Sequence, residues 1–182
     1  MRIAIYTLGC KVNQYETQAM EQELLRRGHT LVPFETAADG YIVNTCSVTA
    51  VSDKKSRQMI RRCRKLNPAA VVAACGCYVQ THAAEAASLD IDLIAGTGDR
   101  MAFLDLFEQA ARERQPLTLL DDALRRREFE ILPAGGMAQR TRAMLKVEDG
   151  CVNFCFSCIW VAYSDFFLRK LPLELRVVFF LA

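Results

Sequence analysis

Through roughly its first hundred residues the chain alternates short β-branched runs with longer runs of helical periodicity, and this alternation limits the possible folds more than any other feature. Arg2–Leu8 reads as a strand and Gln14–Arg27 as a helix ending at Gly28. A weaker strand is expected near Thr30–Phe34 and a firmer one at Gly40–Asn44. A helix follows from about Ser52 to Leu66 and stops before Asn67-Pro68, because a residue preceding proline is pushed out of the helical region. Ala70–Cys75 then reads as a strand, Gln80–Ser88 as a helix, Ile91–Ala95 as a strand and Arg100–Arg114 as a helix. Such a sequence predicts an α/β unit over residues 1–115, an open and mostly parallel sheet with helices on both faces. From 116 to 140 the periodicity fades. The charged run Asp121–Glu128 and Pro133-Ala134-Gly135-Gly136 read as a linker. Thr141–Val147 opens a second unit, 141–182, with a new strand followed by Glu148-Asp149-Gly150.

The 182 residues leave room for one good α/β domain and a fragment of another. Hydrophobic residues make up 52% and charged residues 24%, the balance of a folded soluble protein. A net charge of +2 says nothing about nucleic acid; only clustering of the charges could. The N-terminus enters structure directly, and the apolar run Val177–Ala182 is much shorter than the ~20 residues of a membrane helix. The expectation is therefore a cytosolic protein with no membrane partner. Thiols stay reduced in that compartment, so eight cysteines point to metal or redox chemistry before disulfides.

Three of those cysteines follow strands. Cys10 comes after the first strand through Gly9, Cys46 after the Gly40–Asn44 strand through Thr45, and Cys77 after the Ala70–Cys75 strand through Gly76. Parallel strands end along one edge, where open sheets bind ligands, so the three thiols can meet there and cradle an iron–sulfur cluster. The competing reading is that each is a small buried hydrophobe. That plainer reading suits Cys75, inside its strand, and Cys63, on a helix face with Met59, Ile60 and Leu66.

Cys151-Val152-Asn153-Phe154-Cys155-Phe156-Ser157-Cys158 has the spacing C-x3-C-x2-C. Three thiolates on so short a loop can hold three irons of a four-iron cube and leave the fourth open. The same spacing would place the cysteines on one helix face, but Asp149-Gly150 and Asn153 favour a loop. Structural zinc is the other rival. It normally takes four ligands, and neither His29 nor His82 has the spacing to supply the fourth.

With these residues in view, the chain resembles the radical S-adenosylmethionine tRNA methylthiotransferases over about residues 1–159. C-x3-C-x2-C after a strand is similar to the radical-cluster signature. Leu8-Gly9-Cys10-Lys11-Val12-Asn13-Gln14, Asn44-Thr45-Cys46-Ser47-Val48-Thr49 and Gly76-Cys77-Tyr78-Val79-Gln80 resemble the three cysteine motifs of that family's N-terminal domain. Gly9-Cys10-Lys11-Val12-Asn13 is most similar to the branch acting on N6-threonylcarbamoyladenosine at position 37 of tRNA. The resemblance implies two [4Fe–4S] clusters, an auxiliary one on Cys10, Cys46 and Cys77 and a radical one on Cys151, Cys155 and Cys158. It implies S-adenosylmethionine on the open iron of the second, a deoxyadenosyl radical that takes hydrogen from C2 of the base, and a second S-adenosylmethionine as methyl donor. It further implies tRNA as partner, an electron donor such as flavodoxin or ferredoxin, and a radical-enzyme (β/α) barrel beginning at Thr141.

The match weakens after Ile159. Ser157 stands where the family usually has an aromatic residue, and Trp160–Phe167 replaces an expected proline- and arginine-containing segment. The tail resembles a shifted reading frame, and resequencing the gene from the Cys151 codon onward tests that. Thr141–Ala182 is also far shorter than the ~250 residues of a full barrel. The expectation is that this polypeptide alone gives no methylthiolated product in a turnover assay. The rival expectation is a non-catalytic cluster- or RNA-binding module, or an inert truncated relic.

Two further signals stand apart. The Ser52–Leu66 helix carries Lys54, Lys55, Arg57, Arg61, Arg62, Arg64 and Lys65 against Asp53 alone, which suits either a phosphate-binding surface or an ordinary solvated face. Gly96-Thr97-Gly98 precedes a helix but lacks the third glycine of a dinucleotide fingerprint, with Met101 in its place, and reads as a plain strand-to-helix turn.

Overall fold

The structure is a computed structural model that describes residues 1–123 and 130–132. Its frame is a six-stranded sheet in the order β2-β1-β3-β4-β5-β6, with every neighbouring pair parallel. The strands are β1 (Arg2–Thr7), β2 (Thr30–Leu31), β3 (Gly40–Thr45), β4 (Val71–Gly76), β5 (Leu93–Ala95) and β6 (Leu117–Leu119). The helices are α1 (Lys11–Arg26), α2 (Ala50–Leu66), the short α3 (Cys77–Thr81) and α4 (Ala83–Ala87), and α5 (Arg100–Glu113). This is the expected α/β class, an open parallel sheet.

Side-chain alternation along the strands builds the two faces. Tyr41 and Val43 of β3 and Val72 and Ala74 of β4 pack with Met59, Ile60 and Cys63 of α2 and with Tyr78, Val79 and Ala86 of α3 and α4. Their neighbours Ile42, Val71, Ala73 and Cys75 point the other way, onto Met20 and Leu24 of α1 and Phe103, Leu104 and Phe107 of α5. β3 and β4 are buried at every position. That explains why they read as continuous apolar runs rather than as alternating ones.

Several boundaries differ from expectation for local reasons. β2 is only Thr30–Leu31; one more bond, from Val32 N to Ile3 O (2.9 Å), extends the pairing before Pro33, which has no N–H to give. The helix expected at Gln80–Ser88 is two short helices that begin directly after β4 and meet at His82, where φ −126° and ψ 44° break the ladder. β6 was not anticipated; it lies within the segment read as linker and pairs in parallel with β5. Tyr15 Oη also donates to Leu132 O (3.1 Å), bringing residue 132 onto α1. The elements expected from Thr141 onward, including the barrel strand, lie outside the described residues. Among the described residues no helix is long and apolar enough to cross a membrane.

Candidate metal centre

Strand order and register together decide which loops can meet. After β1 the chain moves to β2 on one side, and β3 then takes up the other side of β1, so β1 and β3 flank the switch point at which doubly wound sheets bind ligands. Thr7 lies level with Asn44, and Asn44 with Cys75. Thr45 then pairs with Gly76, so Cys46 and Cys77 each lie one residue beyond a paired row. Cys10 lies three residues past Thr7, at the N-cap of α1, and makes no side-chain capping bond. The structure thus brings Cys10, Cys46 and Cys77 to one edge.

Two asparagines tie these loops together. Asn13, almost fully buried, donates through Nδ2 to Leu8 O (2.7 Å) and to Thr45 O (2.9 Å), joining the loop before Cys10 to the loop before Cys46. Asn44 donates back to Asn13 O (3.1 Å) and to Thr17 Oγ1 (3.2 Å). Thr45 Oγ1 donates to Cys75 O (2.6 Å), linking the ends of β3 and β4. Cys46 is braced further by Ser56 of α2, whose hydroxyl donates to Cys46 O (3.1 Å). The Cys10 thiol lies 3.8 Å from Asn13 Oδ1.

The glycines belong to the same cradle. A Cβ on Gly9 would stand 2.6 Å from Cys46 Sγ, so only glycine lets the Cys10 loop pass over that sulfur. Gly76 has φ 97° and ψ −165°, a region open essentially to glycine alone. Its Cβ would also meet Thr45 O at 2.5 Å and Asn44 Oδ1 at 2.7 Å. Asn44 Oδ1 is buried with no hydrogen-bond partner.

The thiols differ in environment. Cys10 and Cys77 are partly exposed and Cys46 is buried. Burial pushes the Cys77 thiol up to about 12, and the nearby Cys46 and Cys10 add to the rise, as neighbouring thiols at one site should. Among the described residues no three His, Cys, Asp or Glu side chains close on a single metal ion. A multi-iron cluster holds its cysteines further apart than one ion does. Three convergent soft donors, with glycines where the backbone must make room, fit such a group. Cys63 and Cys75 behave as structural residues. Both are fully buried, Cys63 Sγ donates to Met59 O (3.3 Å), and burial raises their thiols to about 12 and about 11. Cys151, Cys155 and Cys158 lie outside the described residues.

Sequence reasoning missed one element of the site. Arg100, only 1% exposed at the start of α5, donates to Glu16 Oε2 of α1 at 2.7 and 3.2 Å and to Gly96 O at 2.9 Å. Gly96 O also receives the Gly76 N–H (3.1 Å), so the ion pair braces the turn that carries Cys77. The available signal was Glu16, which shares the buried face of α1 with Met20, Glu23 and Leu24.

A doubly wound parallel sheet with three thiols gathered at its switch-point edge defines a class of α/β domain with cysteines at the edge where such sheets bind ligands. The chain belongs to the uncharacterized protein family UPF0004, whose profile matches residues 2–96. It is 44% identical over 158 residues to the threonylcarbamoyladenosine tRNA methylthiotransferase MtaB of Bacillus subtilis (strain 168), covering 86% of this chain and 35% of that protein. It is 34% identical to the proteins of the same name from Aquifex aeolicus (strain VF5), covering 96% of this chain and 42% of the relative, and from Thermotoga maritima, covering 95% and 39%. The chain therefore spans 35% to 42% of the length of these relatives.

Proposed function

We propose that the chain forms the N-terminal part of a cytoplasmic tRNA methylthiotransferase that adds a methylthio group to C2 of N6-threonylcarbamoyladenosine at position 37. Its main support is the meeting of Cys10, Cys46 and Cys77 at the edge where the strand order reverses. In this reading those three hold the auxiliary [4Fe–4S] cluster. Cys151, Cys155 and Cys158 would hold the radical cluster, which would act on S-adenosylmethionine with electrons from a donor such as flavodoxin or ferredoxin. When bound, these groups supply one-electron cleavage of S-adenosylmethionine and delivery of sulfur. The chain's own residues fix and shield the site. Asn13 sets the spacing of the Cys10 and Cys46 loops, Gly9 and Gly76 make room, and burial keeps water from the Cys46 sulfur.

The test is anaerobic reconstitution of the 182-residue chain with iron and sulfide. Brown protein is expected, and Cys10→Ala, Cys46→Ala or Cys77→Ala should each remove roughly half of the bound iron, one cluster of two. Cys63→Ala and Cys75→Ala should leave the iron content unchanged. Colourless protein carrying stoichiometric zinc would replace this reading with a structural metal site.

A further inference from the structure

The cations of α2 divide into two groups. Arg57 pairs with Glu85 (3.2 Å) and lies over the Tyr78 ring, Arg62 pairs with Glu35, and Arg64 pairs with Asp90 (3.0 Å) and Asp92 (2.8 Å). Lys54, Lys55, Arg61 and Lys65 are exposed and, among the described residues, have no carboxylate partner. They are not scattered. Ser56, Met59, Ile60 and Cys63 face the sheet, and helical geometry puts Lys54, Arg61 and Lys65 directly opposite them, with Lys55 on the shoulder. At 1.5 Å per residue the row is about 16 Å long, the span of about four or five phosphates along one strand.

The row also has a definite starting point. Thr49 caps α2 by accepting from Ser52 N (3.2 Å), only three residues after Cys46. The cationic row therefore begins at the cysteine edge and leads away from it on the outer surface of the domain.

We infer that this face of α2 is a docking surface for the sugar–phosphate backbone of tRNA, placed so that a strand lying on it reaches the cysteine edge at one end. The inference rests on the proposed tRNA reading and adds which surface of this chain meets the RNA. The recognition chemistry is charge neutralisation without base contacts. Exposed lysine and arginine side chains keep their reach, because among the described residues no carboxylate pairs with them.

The experiment is binding of the full 182-residue chain to unfractionated bacterial tRNA by anisotropy over a KCl series. Replacing Lys54, Lys55, Arg61 and Lys65 together by alanine should weaken binding about 100-fold at moderate salt and lower the log–log salt slope by about 3. The single variants Lys55→Ala and Arg61→Ala should each lose about three- to tenfold, providing a readout if the quadruple variant folds poorly. Arg112→Ala on α5, across the sheet, should change nothing. If wild type and the folded quadruple variant bind tRNA equally, the α2 surface is wrong while the tRNA reading stands. If wild type binds no tRNA at any salt, both fail. Stronger binding to vesicles of equal phosphatidylserine and phosphatidylcholine than to tRNA would also overturn the inference.

Discussion

Arg100→Ala is expected to destabilise the domain by about 3–5 kcal/mol, because it leaves the Glu16 carboxylate buried without its main partner. A small domain has only about 5–15 kcal/mol in total, so this is a large fraction. Chemical denaturation under reducing conditions measures it. The double variant Arg100→Met, Glu16→Leu should recover most of the loss, since both charges leave the interior together. The double variant also distinguishes stability from function. It restores an apolar interior but not the bond from Arg100 to Gly96 O, which shares that carbonyl with the Gly76 N–H. A stable double variant with reduced iron retention would make Arg100 a positioning residue for the Cys77 turn. A loss below about 1 kcal/mol in the single variant would show that water or a rearranged side chain takes over from the guanidinium.

Gly76→Ala should cost about 3 kcal/mol or more and abolish iron retention at the proposed Cys10, Cys46 and Cys77 site. Two costs act together: a backbone conformation that strains any L-residue, and a Cβ 2.5 Å from the Thr45 carbonyl in rigid sheet. Gly28→Ala separates the two. Gly28 also has a positive φ, 83°, but nothing lies within 4 Å of its missing Cβ, so only the conformational cost of about 1–2 kcal/mol applies. Equal destabilisation of the two variants would mean that contact with Thr45 contributes nothing. Thermal unfolding of the iron-free proteins gives the comparison, and iron content after reconstitution gives the effect on the site.

The contrast between what could and could not be read from sequence follows from the range of each interaction. β3 and β4 are buried on both faces, so their apolar runs state both the strand and its central place in the sheet. That the cysteines just beyond β1, β3 and β4 meet then follows from topology, because parallel strands share an edge. The register was not legible. Nothing local says that Thr45 pairs with Gly76 rather than with a neighbour. β6 was missed because Leu117-Thr118-Leu119 is too short to have a period, and its identity comes from pairing with β5. The start of α1 at Lys11 rather than Gln14 reflects Gly9, which turns the chain sharply enough for the helix to begin at once. Arg100 was hidden because charge predicts exposure, and only the partner on α1, 84 positions earlier, reverses that expectation.

The all-parallel sheet also imposes an order in time. Each strand pairing waits for a crossover to be made, so Cys77 reaches Cys10 only after β1, β3 and β4 have docked across some seventy positions of chain. On the ribosome the first thiol emerges long before the third has a place to go, and no local segment can gather all three. The meeting of the three thiols is therefore a late event on a scaffold that must already stand by itself. In this it is unlike a zinc finger, whose metal brings the chain together.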